Sequence, residues 1–282
     1  MLTATDLVFR ASGRMLIDHF SARFEPGRLH LIMGANGAGK STLIKLLARL
    51  LQPGEGRILY DGTDVARWSE RELAQRRAVL SQAVEVAFSI PVRELVMMGR
   101  YPHFGARPGT EDLHICDEVM QFFDVTDMAD RSYGTLSGGE KQRVQFARVL
   151  AQIWRPLDGS IRHLFLDEPL TFLDIRHQID FMEKVRAFAA QKDVLVIGVV
   201  HDLNLAARFA DRLLLLHEGR ILADGSTREV LTGDHLRTAF NVSPVLLTNP
   251  ATGNTHLVFE GVNRNGNIPI STLAQEVTDE IV

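Results

Sequence analysis

Leu29-His-Leu-Ile-Met33 followed by Gly34-Ala-Asn-Gly-Ala-Gly39-Lys40-Ser41 is the stretch that decides the fold. A short apolar run leads straight into a glycine-rich loop that fits G-x-x-x-x-G-K-[ST] in full. Beyond it, Leu43, Leu46, Leu47 and Leu50 recur at helical spacing, so residues 41–50 are expected to form an amphipathic helix. Strand, loop, helix is the context this motif requires. Glycines let the backbone curl so that successive N–H groups face inward and cradle phosphates. The helix that follows presents its positive end to the same anion. Lys40 adds a mobile cation, and the Ser41 hydroxyl is a ligand for Mg²⁺.

Working outward, Leu164-Phe-Leu-Asp167-Glu168 supplies the other half of a nucleotide site. An apolar strand ending in a carboxylate is how such cores hold Mg²⁺, which puts Asp167 in that role. Glu168, one residue on, stands where it can polarise an attacking water. Leu136-Ser137-Gly138-Gly139-Glu140 opens a long helix expected over 140–154, a second helix start receptive to an anion. One nucleotide needs only one such loop, so the second asks for an explanation.

The remaining pattern is α/β. His163–Leu166, Val194–Val200 and Leu213–Leu216 read as buried strands, with an amphipathic helix from about 175 to 191 between the first two. Gly56–Tyr60 reads as a strand closed by Asp61-Gly62. Ser69 and Glu72 form a capping box opening a helix to about Arg77, and Ser226 with Glu229 does the same further on. Residues from about 88 to 133 hold no buried-strand pattern and read as a helical insert, with one helix expected over 110–124. The last 20 or so residues are polar and acidic, and are expected to form a weakly ordered tail.

Composition narrows the classes. Thirty-one Lys and Arg against 35 Asp and Glu give a net charge of -4, which offers no support for nucleic acid as a partner. The single cysteine, Cys116, can build neither an internal disulfide nor a thiolate metal cluster. The first residues lack the apolar core of a secretion signal, and no apolar run approaches the ~20 residues needed to span a bilayer. A membrane role would therefore run through a partner.

Taken in order, GANGAGKS, LSGGEKQRV, LFLDEP, Asp174 and His201 resemble the full motif set of ABC ATPases, over roughly residues 2–240. The resemblance implies a P-loop NTPase core with an antiparallel β subdomain and a helical insert at about 88–150. The ATPase domain would span 1–245, with 246–282 as an extension and tail. It implies ATP and Mg²⁺, with Gly34, Asn36, Gly37, Ala38, Gly39, Lys40, Ser41 and Thr42 around the nucleotide. Two copies are expected to pack head to tail, so that Ser137, Gly138 and Gly139 of one close on the γ-phosphate held by Lys40 of the other, with Asp174 at the seam. Gln82 corresponds to a glutamine that senses Mg²⁺ and the attacking water, and His201 to the switch histidine that steadies Glu168. His163, His177 and His217 share no such context and read as structural.

Two departures stand out. Thr171-Phe-Leu-Asp174 replaces the usual Ser-Ala-Leu-Asp, and no aromatic residue stands near position 11 to stack on adenine. Phe9, or Arg10 through its guanidinium plane, is the candidate substitute.

Pro91-Val-Arg-Glu-Leu-Val-Met-Met-Gly99-Arg-Tyr-Pro-His103 and Asn204-Leu-Ala-Ala207 are similar to stretches in ATPases serving importers of iron chelates, haem and vitamin B12. Val144–Trp154, together with the extension that holds Ile153-Trp-Arg-Pro156 and Asp158-Gly159, is most similar to haem importers. The resemblance thus implies two membrane permease subunits, an external binding protein acting through them, and a peripheral place at the cytoplasmic face of the inner membrane. Siderophore or vitamin B12 import, and a soluble ABC ATPase of iron–sulfur assembly, are the alternatives.

Overall fold

The computed structural model describes residues 1–81, 89–171, 173–248 and 255–259. The chain opens with a hairpin of β1 (Leu2–Ala11) and β2 (Arg14–Phe24), then enters β3 (Arg28–Met33), the glycine loop and α1 (Lys40–Leu47). Next come β4 (Glu55–Tyr60), β5 (Thr63–Asp64), α2 (Glu70–Ala74) and β6 (Arg77–Leu80). Three helices follow: α3 (Val92–Met97), α4 (Thr110–Phe122) and α5 (Gly138–Ile153). The core resumes as β7 (Arg162–Asp167), α6 (Ile175–Ala189), β8 (Val194–Val199), α7 (Leu203–Phe209), β9 (Arg212–His217) and β10 (Arg220–Gly225). Two short helices, α8 (Thr227–Val230) and α9 (Gly233–Phe240), precede a last hairpin of β11 (Val245–Thr248) and β12 (Thr255–Val258).

Two main sheets result. The larger has the order β10-β9-β3-β8-β7-β6, parallel throughout except for the antiparallel edge strand β10. Its inner strands are buried on both faces, which is why β8 and the Leu164–Leu166 centre of β7 are apolar without alternation. The smaller sheet, β2-β1-β4-β5, is antiparallel throughout and packs its inner face, with Leu7, Phe20, Phe24 and Tyr60, over α1. The fold is thus the expected α/β core with an antiparallel β subdomain.

The helices of the insert pack around α5, whose Val144, Phe146, Ala147 and Val149 are buried. A buried ion pair fixes them. Arg100 donates from Nε to Asp112 at 3.0 Å and from its guanidinium to the Ala151 carbonyl at 2.8 Å, while Asp112 also accepts from Gly109 N at 2.9 Å. Gly99 explains the close approach, since a Cβ there would lie 2.0 Å from the Arg148 carbonyl oxygen.

Two expectations need correction, both at helix ends. The helix opened by Ser69 stops at Ala74 rather than Arg77. Residues 77–80 instead form the edge strand β6, pairing with β7 and burying Ala78 and Leu80. Four residues are too few to display a period. The helix after the glycine loop ends at Leu47 rather than Leu50, because Arg49 turns to φ 53°. The predicted tail beyond 259 lies outside the described residues.

Candidate active site

The sheet register gathers the site. Ile32 pairs with Val199, and Val199 pairs with Asp167, so three neighbouring strands end in one row. Two residues past Ile32 is Gly34, two past Val199 is His201, and the Asp167–Glu168 pair closes β7. Carboxyl ends of parallel strands are where open α/β sheets bind ligands, and here all three motif segments arrive together.

Sterics force the shape of the loop. Gly34 has φ 151°, and a Cβ there would lie 2.2 Å from the Leu216 carbonyl oxygen of β9. Gly39, the N-cap of α1, has φ 100°, and a Cβ there would lie 2.4 Å from the Leu16 carbonyl oxygen of β2. The loop is braced from outside as well: Gly219 N donates to the Ala38 carbonyl at 3.1 Å, and Asp18 N donates to Gly219 at 3.0 Å. Lys40 folds its Nζ back onto the Gly34 and Ala35 carbonyls at 2.8 and 3.0 Å. Burial holds its ammonium below the usual lysine range, with Glu168 and Asp167 opposing. These carbonyls are acceptors that a phosphate oxygen can replace.

Ser41 Oγ donates to Asp167 Oδ1 at 2.8 Å. Asp167 is buried, and desolvation raises its carboxyl above the usual range despite that hydrogen bond; the neighbouring Glu168 charge adds to the rise. A hydroxyl and a carboxylate side by side form a hard-oxygen pair that fits Mg²⁺, which takes one or two carboxylates and completes its shell from phosphates and water. Among the described residues no group of three or more His, Cys, Asp or Glu side chains is gathered to hold a metal without such help.

Glu168 sits in the left-handed region at φ 53°, an uncommon setting that costs about 1–3 kcal/mol for a residue with a side chain. The bend turns its carboxylate out of the strand, where Oε1 lies 2.7 Å from His201 Nε2. Both line a cleft of about 280 Å³ with Thr171, Gln178 and Asp202. A carboxylate oriented by an imidazole at the mouth of a phosphate loop can align a water and take its proton.

Ser137 caps α5 through a reciprocal box: Ser137 N donates to Glu140 at 2.7 Å, and Glu140 N donates to Ser137 Oγ at 3.4 Å. Ser137 and Gly138 are exposed, and a Cβ on Gly138 would meet nothing within 4 Å. The turn therefore stands open at the surface, with the Ser137 and Glu140 amides already used in the box. Asp174 caps α6, accepting from His177 N at 2.9 Å and His177 Nδ1 at 2.8 Å, bonds that hold its carboxyl below the usual range. Phe9 is half-buried against the core of the β subdomain, and Arg10 is exposed. Gln82 lies outside the described residues.

Sequence reading missed one link within the site. Gln142 Nε2 donates to the Pro169 carbonyl, tying α5 to the segment just after Glu168. Its only trace is a glutamine two residues past the Ser-Gly-Gly-Glu turn.

The fold and its strand-end cluster define a P-loop nucleotide-binding core, with a second glycine-bearing helix start exposed at α5. The ABC transporter family model matches residues 17–171. The chain belongs to the ABC transporter family, as an ATP-binding and ATP-hydrolysing component. It is 44% identical over 253 residues to the hemin import ATP-binding protein HmuV of Gloeobacter violaceus, covering 90% of this chain and 92% of that one. It is 40% identical over 260 residues to the protein of the same name from Escherichia coli O157:H7, covering 92% of this chain and 100% of that one. In fold it resembles a chain from an inward-facing metal-chelate type ABC transporter, with a TM-score of 0.77 at 24% identity, covering 92% of this chain and 97% of the other. No helix among the described residues is long and apolar enough to cross a membrane.

Proposed function

We propose that this chain is the ATPase of a haem importer, working as a head-to-tail homodimer beneath two membrane permease subunits at the cytoplasmic face of the inner membrane. Residues 1–245 form the ATPase domain and 246–282 its extension. The observation that carries the hydrolytic reading is the convergence of Lys40, Ser41–Asp167 and Glu168–His201 on one row of strand ends. The haem assignment rests on 40–44% identity to hemin import proteins along about nine-tenths of the chain.

In this reading the phosphates lie on residues 34–42, and Lys40 exchanges the Gly34 and Ala35 carbonyls for phosphate oxygens. Ser41, Asp167 and Gln82 would hold Mg²⁺, which neutralises phosphate charge. Glu168 aligns the water that attacks the γ-phosphorus and takes its proton as the bond to ADP breaks; His201 keeps that carboxylate in place. Ser137, Gly138 and Gly139 of the second copy close over the γ-phosphate, with Asp174 at the seam. Closure brings the two helical inserts together and moves the permeases.

Two variants separate the parts. Lys40→Ala is expected to lose both nucleotide binding and turnover, whereas Ser137→Ala loses turnover and keeps binding. Equal loss of binding in both overturns the cross-subunit role. The cargo is tested in the native host: deletion should abolish growth on haem as the sole iron source, while siderophore and vitamin B12 uptake persist. Loss of either of those instead reassigns the cargo.

A further inference from the structure

The switch histidine is followed by a short helix whose outer side is held by the β11–β12 hairpin. α7 has only seven residues, with Asp202 as its N-cap, accepting from Asn204 N at 2.7 Å and Leu205 N at 2.9 Å. A helix this short has little stability of its own, so its position is set by what it packs against. Ala206 and Phe209 point into the core. On the other side stands β12.

The contact there is specific. Asn204 Nδ2 donates to the Leu257 carbonyl at 3.1 Å, and Asn204 Oδ1 accepts from Leu257 N at 2.8 Å. One side-chain amide thus pairs with both main-chain groups of one residue, as a neighbouring strand would. Leu257 faces Leu246 across the hairpin in the register where its own N–H and C=O point away from β11. Its side chain is 3% exposed and belongs to the main core, although the rest of the hairpin is half exposed. A two-stranded hairpin alone is marginal in water, so this anchorage and α7 support each other.

His201 lies immediately before the cap of α7 and must keep its ring 2.7 Å from Glu168. We propose that the β11–β12 hairpin is a clamp on α7, and that Asn204 is a positioning residue holding His201 against Glu168 during hydrolysis. This rests on the roles given above to His201 and Glu168. A slack α7 would let the cap drift and the imidazole lose its carboxylate, without disturbing the phosphate loop on β3.

The test uses the full chain and measures kcat, KM for ATP and the ATP dissociation constant. Asn204→Ala is expected to lower kcat about three- to tenfold, the usual weight of such hydrogen bonds, with ATP affinity unchanged. In a His201→Ala background it should lower kcat no further, since the group it positions is gone. Leu257→Pro, which removes the N–H that Asn204 accepts, should give the same pattern from the hairpin side and serves if Asn204→Ala fails to fold. Parent kcat in Asn204→Ala, or an undiminished drop in the His201→Ala background, overturns the clamp. If His201→Ala itself turns over at the parent rate, the assignment beneath the clamp falls; if His201→Ala is slow and Asn204→Ala is not, only the clamp falls.

Discussion

Gly39→Ala probes the phosphate loop at its tightest point. Two separate costs attach to the new methyl. The first is conformational: Gly39 has φ 100°, and a residue with a Cβ in that region costs about 1–3 kcal/mol. The second is steric: the Cβ would lie 2.4 Å from the Leu16 carbonyl oxygen and 3.1 Å from Ile17 Cδ1. Raising 2.4 to even 3.0 Å means parting α1 from β2 by 3.0 − 2.4, about 0.6 Å, at a further ~1–3 kcal/mol. The sum is about 2–6 kcal/mol. Gly37→Ala is the control, because φ there is 82° but nothing lies within 4 Å of the added Cβ, leaving only the first cost. Urea unfolding followed by circular dichroism reads both differences directly. Gly39→Ala should be the more destabilised by ~1–3 kcal/mol and should bind ATP poorly, since separation from β2 also strains the Gly219–Ala38 bond beside the loop. Equal destabilisation of the two variants, or parent ATP affinity in Gly39→Ala, refutes the bracing of the loop by β2.

Other expectations follow from particular contacts. Glu168→Gln should cut turnover by roughly 10²–10⁴ with ATP binding retained, measured by phosphate release and calorimetry; parent turnover removes Glu168 from its role. Asp112→Ala strands the buried Arg100 and should cost about 3 kcal/mol, while Asp117→Ala, removing the exposed partner of Arg93, should cost under ~1 kcal/mol by urea unfolding. His163 is fully buried against the Tyr60 ring, and desolvation lowers its pKa to about 4. The unfolded chain therefore takes up the proton first on acidification. Stability contributed by neutral His163 is complete above about pH 6.5 and is lost as pH falls toward 4. His163→Phe should flatten that acid limb in a series of unfolding curves; an unchanged slope contradicts the assignment.

The chemistry of this chain was far more legible than its scaffold. Glycines, Lys40, Asp167, Glu168 and His201 announce themselves because phosphate and water chemistry demands those residue types next to strand ends. β1 and β2 escaped a reading by period, for their alternation is broken by bulges near Asp6 and by positive φ at Asp6 and His19. β6 escaped because four residues carry no period, and β11–β12 because the hairpin's burial rests on one residue, Leu257. Pairings across long sequence distances were invisible in principle. The 2.7 Å approach of His201 to Glu168 depends on the β7–β8 register, and the bond from Arg100 to the Ala151 carbonyl on how the turn after α3 lies against α5. The histidines without motif context behave as expected of structural residues at His163, which stacks in the core. His177 bonds Asp174 at the cap of α6, a structural contact as well.

The central claim is that nucleotide is gripped between Lys40 of one copy and Ser137 of another. Sedimentation of the Glu168→Gln chain with saturating ATP and Mg²⁺ tests it most directly. The account predicts a species of two chains, reverting to one when Ser137→Arg is added or nucleotide is withdrawn. A single-chain species under the same conditions, together with parent turnover per chain that stays constant on dilution, contradicts it.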